Sequence, residues 1–204
     1  MNQDLKATYN RIAADWFKDH NQDTWWIEGT DSFISLLQPG ASVLDVGCGG
    51  GVKSKYLLEK GLQVTGIDFS ENMIKIAKDF VPAAKFSVAD ITKPLDFPEL
   101  FDGIFAQAVL LHIPKKEIGG VLKNVIKVLK PEGYLYVAVK SPNPGQKEEE
   151  IVKENDYGYE YERFFSFYTL EEMLDHLKEC GMTIVHDQVN RTGHTDWVQI
   201  IAKK

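Results

Sequence analysis

A chain of 204 residues, 44% hydrophobic and 26% charged, has the size and make-up of one folded domain with its own core. Its net charge of −7, with no long Lys/Arg run, argues against nucleic acid as a partner. No apolar stretch is long enough to span a bilayer, so membrane insertion is not expected either.

The opening segment "MNQDLKATYNRIAADW" lacks an apolar signal core and reads instead as a helix over residues 3–18, with Leu5, Tyr9, Ile12, Ala13 and Trp16 at helical spacing. A short helix follows over roughly 30–37. From there strands and helices alternate. "SVLDV" predicts a strand, "GVKSKYLLEKG" a helix, "LQVTGID" a strand, and "SENMIKIAKDF" a helix capped by Ser70. "AKFSVAD" and "FDGIFAQA" predict two more strands. "KKEIGGVLKNVIKVLK" predicts a helix weakened by Gly119 and Gly120, and "GYLYVAV" a fifth strand. The proline- and charge-rich stretch 141–156 reads as a loop plus a solvated helix. A helix over 169–180 leads to "MTIVHDQV" and "DWVQIIA", two strands with only about six residues between them. Parallel neighbours need a crossover of a dozen or more residues, so adjacent strands here must be antiparallel.

The expected fold is therefore α/β: a Rossmann-like, doubly wound, mostly parallel seven-stranded sheet with an antiparallel C-terminal strand hairpin. Residues 1–204 form one domain in this reading, with 1–40 as an N-terminal helical cap and 141–168 as an insertion and candidate lid. Cys48 and Cys180 stand apart, without metal-ligand spacing; no metal site is expected, and a reducing cytoplasm suits them.

The stretch "VLDVGCGGG" carries the chemistry. A glycine-rich turn after a strand lets backbone approach a ligand closely, because no Cβ intrudes. Asp68 ends the next strand about twenty residues on, the spacing at which an acid meets ribose hydroxyls. The dinucleotide fingerprint G-x-G-x-x-G fails here, since counting from Gly47 places Val52 at its third glycine. The spacing is D-x-G-x-G-x-G: Asp45, Gly47, Gly49, Gly51. A carboxylate ahead of the glycines offers nothing to a pyrophosphate, but suits a ligand with an ammonium group. S-adenosylmethionine, an adenosine with a methionine tail and no phosphate, fits that demand.

With "VTGIDFS", "FSVADI", "FDGIFAQAVLLHI" and "LKPEGYLYVAV" following in order, the chain resembles the class I S-adenosylmethionine-dependent methyltransferases from about Tyr9 to its C-terminus. The resemblance implies S-adenosyl-L-methionine as cofactor and S-adenosyl-L-homocysteine as product. It implies that Gly47, Gly49 and the turn around them, with Cys48 and Gly51, hold the methionine tail, and that Asp45 organises its polar end. Asp68 would take the ribose diol, Phe69 and Ile91 would flank the adenine, Asp90 would accept its amino group, and Gln107 would border the methionine moiety. The family's seven-stranded sheet, antiparallel in its last strand, agrees with the loop-length argument.

Methyl transfer from a sulfonium is an in-line displacement, and a protonated acceptor also needs a base. His112, just past the fourth strand, is the candidate base; the competing reading is a backbone-bonding loop group. Tyr9, Trp16, Trp25 and Trp26 form one aromatic group for an acceptor wall. Tyr157, Tyr159 and Tyr161, at strand period, form another, with Arg163 in register to meet an anionic acceptor. The expected acceptor is a small molecule, and the expected state monomer or homodimer. A nicotinamide-dependent oxidoreductase and a non-catalytic cofactor-binding module are the alternatives.

Overall fold

Ser42–Val46 is apolar at alternate and adjacent positions and buried from Val43 onward, as a central parallel strand must be. It is β1 of the computed structural model, which describes residues 3–204. Met1 and Asn2 of the expected cap lie outside the described residues. In chain order the strands are β1, β2 (Gln63–Asp68), β3 (Lys85–Val88), β4 (Phe101–Gln107), β5 (Leu129–Lys140), β6 (Glu149–Glu154), β7 (Tyr161–Ser166), β8 (Thr183–Thr192) and β9 (Thr195–Lys203). The helices are α1 (Gln3–His20), α2 (Ile27–Ile34), α3 (Val52–Glu59), α4 (Glu71–Phe80), α5 (Ile118–Lys127) and α6 (Leu170–Glu179).

Seven strands form one sheet in the order β3-β2-β1-β4-β5-β9-β8. The first five run parallel. β9 is antiparallel to both β5 and β8, because a turn of two residues, Gly193 and His194, leaves no length for a crossover. The strand order reverses between β1 and β4, so a crevice opens there beyond the carboxyl ends of the strands.

Capping follows the sequence. The Ser70 hydroxyl accepts from the Met73 N–H at 3.2 Å to start α4, and Thr169 with Glu172 closes a capping box on α6. The core lies between the sheet and its helices. Phe105 and Tyr136, side by side on β4 and β5, stack at 4.7 Å, and Phe33 of α2 tilts onto both. Burying a ring such as Phe33 contributes roughly 1.5–3 kcal/mol.

Three expectations are corrected. The second helix begins at Ile27 and ends at Ile34, because Trp26 starts it without a capping side chain to mark the spot. The expected solvated helix in 141–156 is strand β6, which pairs antiparallel with β7 in a separate two-stranded sheet. Its residues alternate between exposed and half-buried, and a distant partner decides the conformation that a Glu/Lys-rich run does not. Of the three alternating tyrosines only Tyr161 lies in a strand. Tyr157 stacks on it at 5.5 Å from the turn, while the Tyr159 hydroxyl donates to Asp15 of α1.

Candidate active site

The glycine turn after β1 folds back onto the end of β2. The N–H groups of Gly47 and Cys48 donate to the Ile67 carbonyl at 2.8 and 3.0 Å. Gly49 donates its N–H to Asp68 Oδ2 at 3.0 Å, and Asp68 Oδ1 accepts from the Ser70 N–H at 2.9 Å. Gly47 has φ +71°, and a Cβ there would lie 2.5 Å from Val109 Cγ2. Val109 is brought over the turn by Ala108, which itself adopts φ 56° directly after β4.

A cavity of about 310 Å³ opens beside this turn. Asp45 and Asp68 both face it and both are buried. Burial raises the Asp45 carboxyl from 3.8 to about 6, against the Ser54 hydroxyl bonded to it at 2.5 Å and the Lys53 ammonium nearby. Burial likewise raises Asp68 to about 6, against the hydrogen bonds from Ser70, Gly49 and Phe69. Gln107, at the end of β4, is 7% exposed, and neither its Nε2 nor its Oε1 has a hydrogen-bond partner. An unsatisfied buried amide costs about 1–3 kcal/mol, so this wall is built for a ligand that both donates and accepts. Lys53, from the first turn of α3, completes this end; burial lowers its pKa, while Asp45 and Asp23 act to raise it.

The other end is organised around a histidine. His112 Nδ1 lies 2.7 Å from the Phe164 carbonyl oxygen, which only an N–H can approach favourably. That bond fixes the tautomer and leaves a lone pair on Nε2, where the Tyr9 hydroxyl donates at 2.7 Å. Burial pushes the His112 pKa down to about 3; the Phe164 bond opposes the shift, and the Arg163 and Lys140 charges add to it. Arg163 Nη1 donates to the Tyr9 oxygen at 3.4 Å. Its remaining nitrogens grip both oxygens of Glu154 in a largely buried fork.

Most of the residues singled out in the sequence converge on this cavity. Asp45, Gly47, Cys48, Gly49, Asp68 and Phe69 line one end, with Ile91 and Gln107 beside them. Tyr9, Trp16, Trp25, His112 and Arg163 line the rest. Three residues do not reach the wall. Gly51 sits behind it as the left-handed N-cap of α3, packed on Ala77 of α4. Asp90 is held in its own turn, Oδ1 accepting from the Thr92 N–H at 2.9 Å and hydroxyl at 2.8 Å. Trp26 is buried edge-on to Tyr56, while its neighbour Trp25 turns the opposite way to stack on Trp197 at 4.3 Å. The sequence reading missed Gly50, Lys53, Lys140, Phe165 and Trp197. The signal for Lys140 is its place: a cation closing the apolar run Val137–Val139, at the carboxyl end of a strand.

Comparison with known proteins points to a family. The profile of a methyltransferase domain matches residues 44–137. Over 195 residues the chain is 34% identical to phosphoethanolamine N-methyltransferase 1 of Zea mays, covering 90% of this chain and 37% of that one. It is 31% identical over 144 residues to the ubiquinone biosynthesis O-methyltransferase of Coxiella burnetii, covering 62% of this chain and 61% of that one. The crystal structure of an S-adenosylmethionine-dependent methyltransferase from Methanosarcina mazei superposes with a TM-score of 0.73 at 28% identity, covering 84% of this chain and 95% of that one. A methyltransferase-domain profile and a solved S-adenosylmethionine-dependent methyltransferase at 28% identity together support the class I S-adenosylmethionine-dependent methyltransferases as the family of this chain.

The same comparisons support S-adenosylmethionine as the cofactor in preference to a nicotinamide dinucleotide. The chain spans little more than a third of the length of the maize relative. The wall fits the cofactor on its own chemistry: paired carboxylates for hydroxyls and an ammonium, a bare glycine turn, and an unpartnered amide. Cys48 is no nucleophile, since burial and the nearby Asp45 and Asp68 charges hold its thiol well above the usual range.

The two aspartates give the site a pH signature. Their pKa values rise on folding from 3.8 to about 6, so the folded chain holds those protons more tightly than the unfolded chain. The ligand-free protein should therefore lose stability as pH climbs from about 4 to about 6, by about 3 kcal/mol for each fully buried group. Ligand affinity should move the other way, because an ionised carboxylate accepts from hydroxyl and ammonium donors more strongly than a protonated one. Thermal melts and calorimetry with S-adenosylhomocysteine on either side of pH 6 check both signs.

Proposed function

We propose that this methyltransferase moves the methyl group of S-adenosylmethionine to a small molecule held at the Tyr9–His112 end of the cavity. The observation that carries the reading is continuity: one cavity holds the two aspartates, the unpartnered Gln107 amide and the Tyr9–His112 pair. When bound, the cofactor supplies a methyl group already activated by its sulfonium. What remains for the chain is to bind, align and exclude water.

In this reading Asp68 takes the ribose hydroxyls, while Asp45 orients the ammonium of the tail through its bond to Ser54. Lys53 faces the tail's carboxylate. Phe69 and Ile91 close over the ring system. Trp16 of α1, Trp25, and the β6–β7 hairpin that carries Arg163 shelter the acceptor side. Tyr9 holds the acceptor: its proton points at His112, so its oxygen is left to accept from an N–H or O–H in the cavity. His112 is then a positioning residue for Tyr9, with little proton affinity of its own. The relatives' names point to nitrogen or oxygen as the acceptor atom. No helix among the described residues is long and apolar enough to cross a membrane. The free thiols of Cys48 and Cys180 suit a reducing cytoplasm.

Calorimetry with S-adenosylmethionine, S-adenosylhomocysteine and NAD, followed by transfer of labelled methyl over a metabolite panel, tests the proposal. Tight binding of the first two with turnover of at least one panel member is expected. A dinucleotide preference would overturn the reading, and binding without any transfer would leave only a cofactor-binding module. Asp68→Ala should weaken S-adenosylhomocysteine by about 1–3 kcal/mol, and unchanged affinity removes Asp68 from the ribose site.

A further inference from the structure

Charge is unevenly placed along the cavity. Its carboxylates, Asp23, Asp45 and Asp68, belong to the segment after α1 and to the β1 and β2 strand ends. Its two cations at the other end are Arg163 and Lys140, both felt by His112. Arg163 is already neutralised by its fork on Glu154. Lys140 is not: among the described residues no carboxylate forms an ion pair with its Nζ.

Lys140 is the last residue of β5, one strand beyond Gln107 of β4 and in register with Trp197 of β9. Its Nζ stands 4.7 Å from the centre of the Phe165 ring and 5.8 Å from that of Trp197. Two aromatic faces repay part of the cost of removing an ammonium from water. They accept none of its three N–H bonds in line, so these stay available to a ligand. Burial, with the Arg163 charge added, holds its pKa below the usual lysine range. The Glu154 charge opposes that shift only from a distance, being already forked on Arg163. A half-buried cation with no carboxylate in direct contact is costly to fold around, and a ligand that brings the negative charge to it lowers that cost. Thr192 and Thr195, paired across the β8–β9 hairpin, also line this cavity.

We propose that Lys140 anchors an anionic group of the methyl acceptor, a phosphate or a carboxylate, with the Thr192 and Thr195 hydroxyls completing the seat. The inference rests on the reading that the acceptor occupies this end of the cavity. Two strand spacings, about 10 Å, separate the end of β1 from the end of β5, so the acceptor's anion and its nucleophile lie at opposite ends of a short molecule. The anion also has a consequence for the pair next to it. It offsets one of the two positive charges that disfavour a proton on His112, so the acceptor itself raises the basicity on which Tyr9 leans.

The test is calorimetry on the chain saturated with S-adenosylhomocysteine. The probes are inorganic phosphate, phosphoethanolamine and 4-hydroxybenzoate, with uncharged 4-hydroxybenzamide as control. At least one anion should bind, and the control should bind about tenfold more weakly or worse. Lys140→Met should cut anion affinity by about tenfold or more, and Lys140→Arg should keep it within about threefold. S-adenosylhomocysteine affinity should be the same in all three proteins, which also shows that the variants fold. The proposal is overturned if no anion binds the loaded chain, or if Lys140→Met binds anions as tightly as the parent. Failure of S-adenosylhomocysteine itself to bind would instead strike the functional reading, so the two failures are told apart.

Discussion

Gly47→Ala should reduce S-adenosylhomocysteine affinity by about 100-fold or more, the largest effect expected of any single methyl group in this protein. Two independent costs coincide there. The backbone sits at φ +71°, where an L side chain costs roughly 1–2 kcal/mol. The added Cβ would also lie 2.5 and 2.6 Å from Val109 Cγ2 and Cβ, closer than real carbon contacts allow. Val109 has little freedom to retreat, because it is itself buried and follows the left-handed Ala108. The turn would have to move, and the N–H of Gly47 with it, off the Ile67 carbonyl. Gly49→Ala separates the two costs: its φ is +52°, but its Cβ would rest at an ordinary 3.5 Å from Trp16. It should lose about tenfold, the backbone share alone. Adding Val109→Ala to Gly47→Ala should recover the steric share and no more. Calorimetry on the four proteins checks the ordering; a Gly47→Ala chain that binds like the parent would show that the ligand does not rest against this turn.

The contrast between Gly47 and Lys140 explains what a sequence of this kind reveals. Gly47, Asp45 and Asp68 lie within one strand–turn–helix–strand unit, so spacing alone brings them together. The strand pattern, and the antiparallel end of the sheet, followed from periodicity and a short connection in the same way. Lys140 reaches the cavity only because β5 lies beside β4 and β9 folds back against β5. No local rule gives that adjacency. Gly50 was passed over for Gly51 because the two differ only in which way one residue of a turn faces. The same holds for Trp25 and Trp26, adjacent in the chain but turned to opposite sides. β6 failed for a different reason. Its Glu and Lys residues favour a helix locally, and its strand exists through β7, whose pairing begins seven residues further on. Arg163 lines the cavity, but its partner Glu154 comes from that unrecognised strand.

The Tyr9–His112 pair gives the second large effect. Tyr9→Phe should slow methyl transfer by about 10²- to 10³-fold at saturating acceptor, with KM changed little because the ring and its edge contact to Phe69 remain. The hydroxyl is held from two sides, by His112 at 2.7 Å and by Arg163 at 3.4 Å, so its oxygen has one direction left in which to accept. A residue that acts through Tyr9 must show it in a double variant. His112→Gln should slow turnover by less than Tyr9→Phe, since Arg163 still fixes part of the geometry. Combining the two should cost no more than Tyr9→Phe alone. Were His112 the proton acceptor in its own right, its loss would be the more severe, and the effects would multiply. The pH profile separates the cases further. With a pKa near 3, His112 stays neutral throughout the range in which Asp45 and Asp68 ionise, so the acid limb of turnover should track the cofactor carboxylates near 6 and survive in His112→Gln. An acid limb that disappears with the imidazole would return His112 to the role of base and leave Tyr9 as its support.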